Sequence, residues 1–310
     1  MEKSIISDWK PEYSKTFSKS ALHLQHRLAE TGLFTRENLS KLIDKCPKSN
    51  YNLTTMGYDY NNPEWREGVI RKTSGSEVID AVERGRMWLN LRQVEGFDED
   101  FDDLLNKIFD EFEGYVPGFE TFKRKIGILI SSPKVQVFYH ADVPGQSLWQ
   151  VEGRKRVYVY PNEAPYLHPR NMESIIMGET EEEIPYDPKF DDDALVYDLG
   201  PGEMVHWPLN CPHRVTNEDC LNISVTTEHW TTDIRKSYAV NYANGVLRRH
   251  FGVENPSQSI TGPMVYPKAA LALGWRKLNL NKSKQVVRTV DFTVDPNVDT
   301  GMVSIPAYAK

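Results

Sequence analysis

Between Ile126 and Trp230 the chain reads as β-structure. The runs GILISSPKVQVFYHAD, SLWQVEGRKRVYVYP, ALVYDLGPGEMVHWP and CLNISVTTEHW are rich in β-branched and aromatic residues and are broken by Pro, Gly and Asn. Several short strands at that spacing predict a small sandwich or barrel of about 100 residues. The gap between the second and third runs, Asn162–Asp193, is long. Its second half carries Glu179, Glu181, Glu182, Glu183, Asp187, Asp191, Asp192 and Asp193 against one lysine, Lys189, and reads as a solvated loop.

Helical and mixed segments flank this core. Before it, Thr35 can cap a helix through Lys45 ended by Pro47, and Ser76 another through Glu83 closed by Gly85. Met87–Val94 has strand character. Over Asp98–Glu113 the residues Phe101, Leu104, Leu105, Ile108, Phe109 and Phe112 form one apolar face, read as core packing. After Thr232 two helices are expected, Asp233–His250 and Pro267–Leu278, then an extended tail to Lys310. The expected organisation is one domain: a flank over 1–125, a β core over 126–230, and C-terminal helices and tail over 231–310.

Composition narrows the class. At 310 residues, 39% hydrophobic and 26% charged, the chain can bury a core as a soluble globular protein. The most apolar stretch, Ala269–Trp275, stops at Arg276, so no membrane span is expected. The N-terminus lacks the apolar segment of a signal peptide, and Cys46, Cys211 and Cys220 form no CxxC pair, so a cytoplasmic location is the simplest expectation. With 37 basic and 44 acidic residues the net charge is −7, which speaks against general nucleic-acid affinity.

Chemistry concentrates in two places. In Tyr139-His140-Ala141-Asp142, at a strand end, His140 and Asp142 project from one face and can reach one cation. In GPGEMVHWPLNCPH a Gly-Pro-Gly turn feeds a strand, and Pro208 and Pro212 bracket a bend that ends on His213. Two histidines and a carboxylate on one face of a metal leave three positions open, which favours non-haem Fe(II) and oxygen chemistry over a closed zinc site. Thirteen residues after Asp142, Lys155 shares a strand face with Val157 and Val159. Buried there, its charge calls for an anionic partner.

The run HADVPGQSLWQVEGRKRVYVYP followed by GPGEMVHWPLNCPH resembles the JmjC-type, cupin-fold Fe(II)/2-oxoglutarate oxygenases. The likeness is greatest to their hydroxylase branch, typified by the asparaginyl hydroxylase of hypoxia-inducible factor, and it covers residues 127–230, a third of the chain. It implies a mainly β fold with helical flanks around a double-stranded β-helix core. It implies His140, Asp142 and His213 as iron ligands, Lys155 on the distal carboxylate of 2-oxoglutarate, and products that include succinate and CO2. Three positions depart from the pattern. Val137 stands where a hydroxyl often helps hold the co-substrate, leaving Tyr139 and Thr226 as candidate helpers. Gln146 replaces an Asn, and His206 replaces an aromatic or aliphatic residue.

Other polar residues have plainer expected roles. His206 is a packed residue or an alternative ligand. Glu228 and His229 are candidates for the substrate side. His23, His26, His168 and His250 are expected at the surface, Trp149 and Trp207 in packing, and Gln150 and Asn222 beside the ligands. An acidic loop at the barrel mouth would favour cationic substrates, either a peptide or an amino-bearing small molecule. The helices after residue 232 either cover the core or make a homodimer, as in the resembled hydroxylases. Two rival readings remain at this point: a non-enzymatic cupin-fold binding protein, and a cupin metalloenzyme that does not use 2-oxoglutarate.

Overall fold

Two facing, mainly antiparallel sheets form the core of the computed structural model, which describes residues 3–59, 64–278 and 288–309. The smaller sheet runs β6 (Gln136–His140), β11 (His213–Asn217), β8 (Lys155–Val159), β9 (Leu195–Leu199). The larger contains the neighbours β1 (Leu22–Gln25), β10 (Glu203–His206), β7 (Gly145–Glu152), β12 (Asn222–Trp230) and β5 (Phe122–Ser131). It continues through β4 (Trp88–Leu91), β2 (Tyr51–Thr55), β3 (Arg66–Val69), β13 (Thr289–Val294) and β14 (Met302–Ala309). From β5 to β12 the chain passes back and forth between the sheets, which is the expected double-stranded β-helix.

Alternation along the strands divides the wall into two faces. The outer face of the large sheet presents Ile126, Ile128, Ile130, Trp149, Val151, Met204 and Val225 to a core shared with the N-terminal flank. The inner face presents Leu129, Leu148 and Val205 to Val157, Val159, Leu199 and Val215 of the small sheet. Against the outer face lies α4 (Glu99–Tyr115), capped by Asp98 and burying the six apolar residues of its expected stripe. Each such burial contributes roughly 1.5–3 kcal/mol.

The flanks differ from expectation. The N-terminal flank holds α1 (Tyr13–Thr16), the expected α2 (Arg36–Lys45, capped by Thr35) and α3 (Gly75–Arg84). It also adds β2, β3 and β4 to the large sheet, so it is less helical than its sequence suggests. The cap of α3 is Ser74 rather than Ser76: its hydroxyl accepts from the backbone N–H of Glu77, whose carboxylate accepts from that of Ser74. The first half of the long gap contains a helix, α5 (Pro169–Met177), with Pro169 at its first position and Gly178 in the left-handed conformation at its end. The C-terminal helices are α6 (Thr232–Phe251) and α7 (Val265–Lys277), and the tail is no loose extension: β13 pairs in parallel with β3, and β14 with β13. Among the described residues no helix is long and apolar enough to cross a membrane.

Candidate metal centre and its cavity

Antiparallel pairing of β11 with β6 sets His213 opposite His140. The bend before β11 closes with the Cys211 N–H donating to the Pro208 carbonyl (3.1 Å). Within that bend Asn210 takes a left-handed conformation (φ 58°), and its amide donates to the Asp142 backbone carbonyl (2.6 Å). The two motifs are thereby tied at the ends that carry the ligands. Asn210 went unnoticed in the sequence, although its place between two prolines marked a tight turn.

One ligand atom from each of His140, Asp142 and His213 lies within 4.8 Å of the others. His140 Nδ1 is 2.7 Å from the Phe138 carbonyl and His213 Nδ1 is 3.1 Å from the Cys211 carbonyl. Each carbonyl can only accept, so Nδ1 carries the proton and Nε2 keeps its lone pair. His213 Nε2 then stands 3.2 Å from Asp142 Oδ2, a buried oxygen without a hydrogen bond, and His140 Nε2 stands 3.9 Å from Oδ1. Lone pairs facing a carboxylate repel unless a cation lies between them. Burial acts in the same direction, raising the Asp142 pKa and, with help from His140, lowering that of His213 well below the usual range. This donor set fits a divalent metal held on one face.

The triad opens into a cavity of about 670 Å3 between the sheets. Its inner wall carries Leu129, Leu148, Val137 and Val215, and Trp207 lies 4.4 Å from the His213 ring. Thr226, Gln146 and Glu228 line it from adjacent strands, with Gln146 directly opposite Glu228. Thr226 faces Gly127, where a Cβ would come within 2.7 Å of the threonine hydroxyl, so glycine leaves that oxygen free to the cavity. Asn90 also lines the cavity, with a buried Oδ1 that lacks a partner. The only signal for it in the sequence was its polarity within an apolar strand.

Lys155 is 2% exposed, shares its inward strand face with Val157 and Val159, and is not among the residues lining the cavity. Its ammonium makes no hydrogen bond or ion pair among the described residues, and burial lowers its pKa to about 7. Tyr139 does not join the site. Beyond the register shift that separates it from Val137, it faces away from His140, where its hydroxyl donates to the Tyr166 carbonyl (2.9 Å) and its ring packs on Tyr160 and Tyr186. Gln150 and Asn222 bond each other (2.7 Å) away from the ligands. His206 stacks on Phe17 on the outer face, with centroids 4.2 Å apart. His229 packs there too, against Phe109 and Phe119. His26 is buried rather than at the surface.

The acidic stretch is partly structured. Its 182–184 segment pairs with the end of β6, with the Ala141 N–H donating to the Glu182 carbonyl (3.2 Å) and the Ile184 N–H to that of Tyr139 (3.3 Å). Asp191 pairs with Arg214 and accepts from the Tyr160 hydroxyl. Glu181, Glu182 and Glu183 line the cavity mouth. Glu182 still meets solvent, yet enclosure of its carboxyl and repulsion from Asp142 and Glu228 push its pKa up.

No family model matches the chain, and no curated protein does. Solved structures do. An X-ray structure of Escherichia coli YcfD aligns at TM-score 0.52 with 17% identity, over 92% of this chain and 71% of that one. The likeness is one of fold. A crystal structure described as the Escherichia coli ribosomal oxygenase YcfD aligns at TM-score 0.50 with 15% identity, over 92% and 70%. A structure of the same oxygenase with cobalt and 2-oxoglutarate aligns at TM-score 0.48 with 16% identity, over 92% and 69%.

Proposed function

We propose that the protein is an Fe(II)- and 2-oxoglutarate-dependent oxygenase that hydroxylates a side chain of a polypeptide. The observation that carries this reading is the convergence of His140 Nε2, His213 Nε2 and an unpartnered oxygen of Asp142 on one point of a β-helix cavity. When bound, iron with 2-oxoglutarate and oxygen supplies the oxidative decarboxylation and the oxidant. The chain supplies the geometry. His140, Asp142 and His213 hold the metal and leave three positions open. Val137, Val215 and Leu148 keep water from the space behind it.

Lys155 is the partner for the far carboxylate in this reading. Val159, four residues along β8 from Lys155, pairs with His213, a distance of about 13 Å along the strand. A lysine stem and a five-carbon dicarboxylate laid end to end cover that span. Facing that carboxylate, the buried amine would be held in its protonated form and make a charge-assisted bond. Thr226, with its hydroxyl on the facing wall, is the second helper; Tyr139 drops out.

A polypeptide substrate is supported by the fold likeness to a ribosomal oxygenase. Glu181, Glu182, Glu183 and Glu228 at the cavity mouth suit a cationic side chain. Three free cysteines fit a reducing, cytoplasmic setting. Exposed Phe251, Val253 and Leu278 at the ends of α6 and α7 would pair two copies, which light scattering tests. The direct test of the activity is succinate formation from 2-oxoglutarate with Fe(II) and ascorbate in air, without substrate. Succinate that requires iron and His140 supports the reading; iron-independent turnover, or turnover retained in His140→Ala, refutes it.

A further inference from the structure

A second cavity, of about 810 Å3, lies between α6, α7 and the start of β5. Its chemistry is the reverse of the metal cavity's mouth. Among the described residues, the charged ones lining it are Lys123, Arg235, Lys236 and Arg276, with no aspartate or glutamate. Lys236 is paired with Asp233 at 2.9 Å. The other three make no ion pair among the described residues and lie over aromatic rings: Lys123 over Trp230 (5.5 Å), Arg235 over Phe122 (5.7 Å) and Arg276 over Tyr238 (5.4 Å). A ring holds a cation in place without cancelling its charge. Between these charges the floor is aliphatic, with Ile260, Val265, Ala269 and Ala272. At the rim Tyr266 is 78% exposed and Leu273 70%. On a chain of net charge −7, a groove with uncancelled positive charge and an apolar floor is the exception.

Its position gives it a use. Trp230 lines both this groove and the metal cavity, so the two meet at that side chain. We infer that the α6–α7 groove docks an acidic, partly apolar segment of the polypeptide substrate while the residue to be hydroxylated enters the carboxylate-lined mouth. This rests on the oxygenase reading with a polypeptide substrate, and it adds a bipolar recognition pattern: cationic at the reacting residue, anionic along the flank. Three of the four aromatic rings lining the groove already carry a cation, and the floor between them is aliphatic, which favours peptide side chains over stacked bases. Complementary charge would mainly raise the encounter rate and set the register, and the apolar floor would hold the complex.

The test is fluorescence anisotropy on the full chain, metal-free and iron-loaded, with a short fluorescein-labelled peptide of alternating Glu and Leu. Its Lys-for-Glu counterpart and a single-stranded oligonucleotide are the controls. The acidic peptide is expected to bind, to weaken with salt, and to lose at least about tenfold in affinity in Arg235→Glu/Lys236→Glu. The Leu273→Ser variant should weaken binding at all salt concentrations. Substrate-free succinate formation should be unchanged in both variants, which keeps this test separate from that of the activity itself. Absence of binding, equal binding of the Lys peptide, or binding indifferent to the charge reversal overturns the inference. Tighter groove-dependent binding of the oligonucleotide assigns the face to nucleic acid instead. A dimer that the charge reversal dissociates assigns it to a second copy.

Discussion

Two sets of histidines are buried in this protein to a similar degree, and their surroundings give them opposite uses. His206 and His229, on the outer face of the large sheet, are 1% and 3% exposed and lie among Phe17, Phe109 and Phe119. His213, inside the barrel, is 4% exposed, yet its free nitrogen faces a carboxylate. His206 Nδ1 meets the Gln146 carbonyl at 2.9 Å and the Ser147 hydroxyl at 3.0 Å, and its Nε2 meets the Ser18 hydroxyl at 3.3 Å, so nothing about it asks for a metal. Burial therefore does not distinguish a ligand from packing. The orientation of the second nitrogen, and what it faces, does.

The comparison breaks most sharply at the ligands. Replacing His140 or Asp142 with Ala is expected to reduce iron-dependent succinate formation to background while leaving the melting curve cooperative. His206→Phe should keep turnover within about twofold, since its ring makes no contact with the cavity. Retained activity in the first pair, or lost activity with intact folding in the second, would invert the assignment.

Lys155→Ala probes the space behind the metal. Loss of one charge-assisted hydrogen bond costs about 1.5–3 kcal/mol, so the 2-oxoglutarate KM should rise by roughly 10- to 100-fold, and metal affinity should hold. An unchanged KM would remove the lysine from the co-substrate site and favour a cupin enzyme that does not use this acid.

The outer histidines should govern acid stability. His206 is lowered to about 4 and His229 to about 3 by burial, against 6.5 when unfolded. Below pH 6.5 the unfolded chain binds the protons these rings refuse, so stability is full above that value and falls as the pH drops toward 4. Each histidine contributes about 2 kcal/mol to the loss between pH 6.5 and 5. His206→Phe should flatten the fall of Tm over that range, as calorimetry can show. Lys155, lowered to about 7 from 10.5, adds a second limb of the same sign, with stability rising from pH 7 toward 10. The smallest effect belongs to Ser74→Ala, which removes the cap of α3 for about 1 kcal/mol without touching turnover.

The readable parts of the sequence were those whose information is local. His140 and Asp142 lie two apart at a strand end, and the apolar stripe of α4 repeats within one helix. Tyr139 neighbours His140 and so faces away from it, but the register shift that keeps Val137, two residues earlier, on the cavity side is not readable from spacing. Pro169 and Gly178 marked both ends of α5 in the first half of the gap, just before the acidic stretch that reads as a loop. The short strands β2, β3, β13 and β14 were not readable in the same way. Each is stabilised by a neighbour distant in sequence, such as β13 against β3, and carries too few residues for a clear period of its own. The burial of His26 likewise depends on long-range packing, against Trp149 across the wall.

The most direct measurement is an anaerobic titration of 2-oxoglutarate into the Fe(II)-loaded protein, followed by visible absorption. A metal-to-ligand charge-transfer band that saturates, disappears in His213→Ala and needs more 2-oxoglutarate in Lys155→Ala is the predicted result. Iron bound by the triad with no such band at any 2-oxoglutarate concentration would contradict the account.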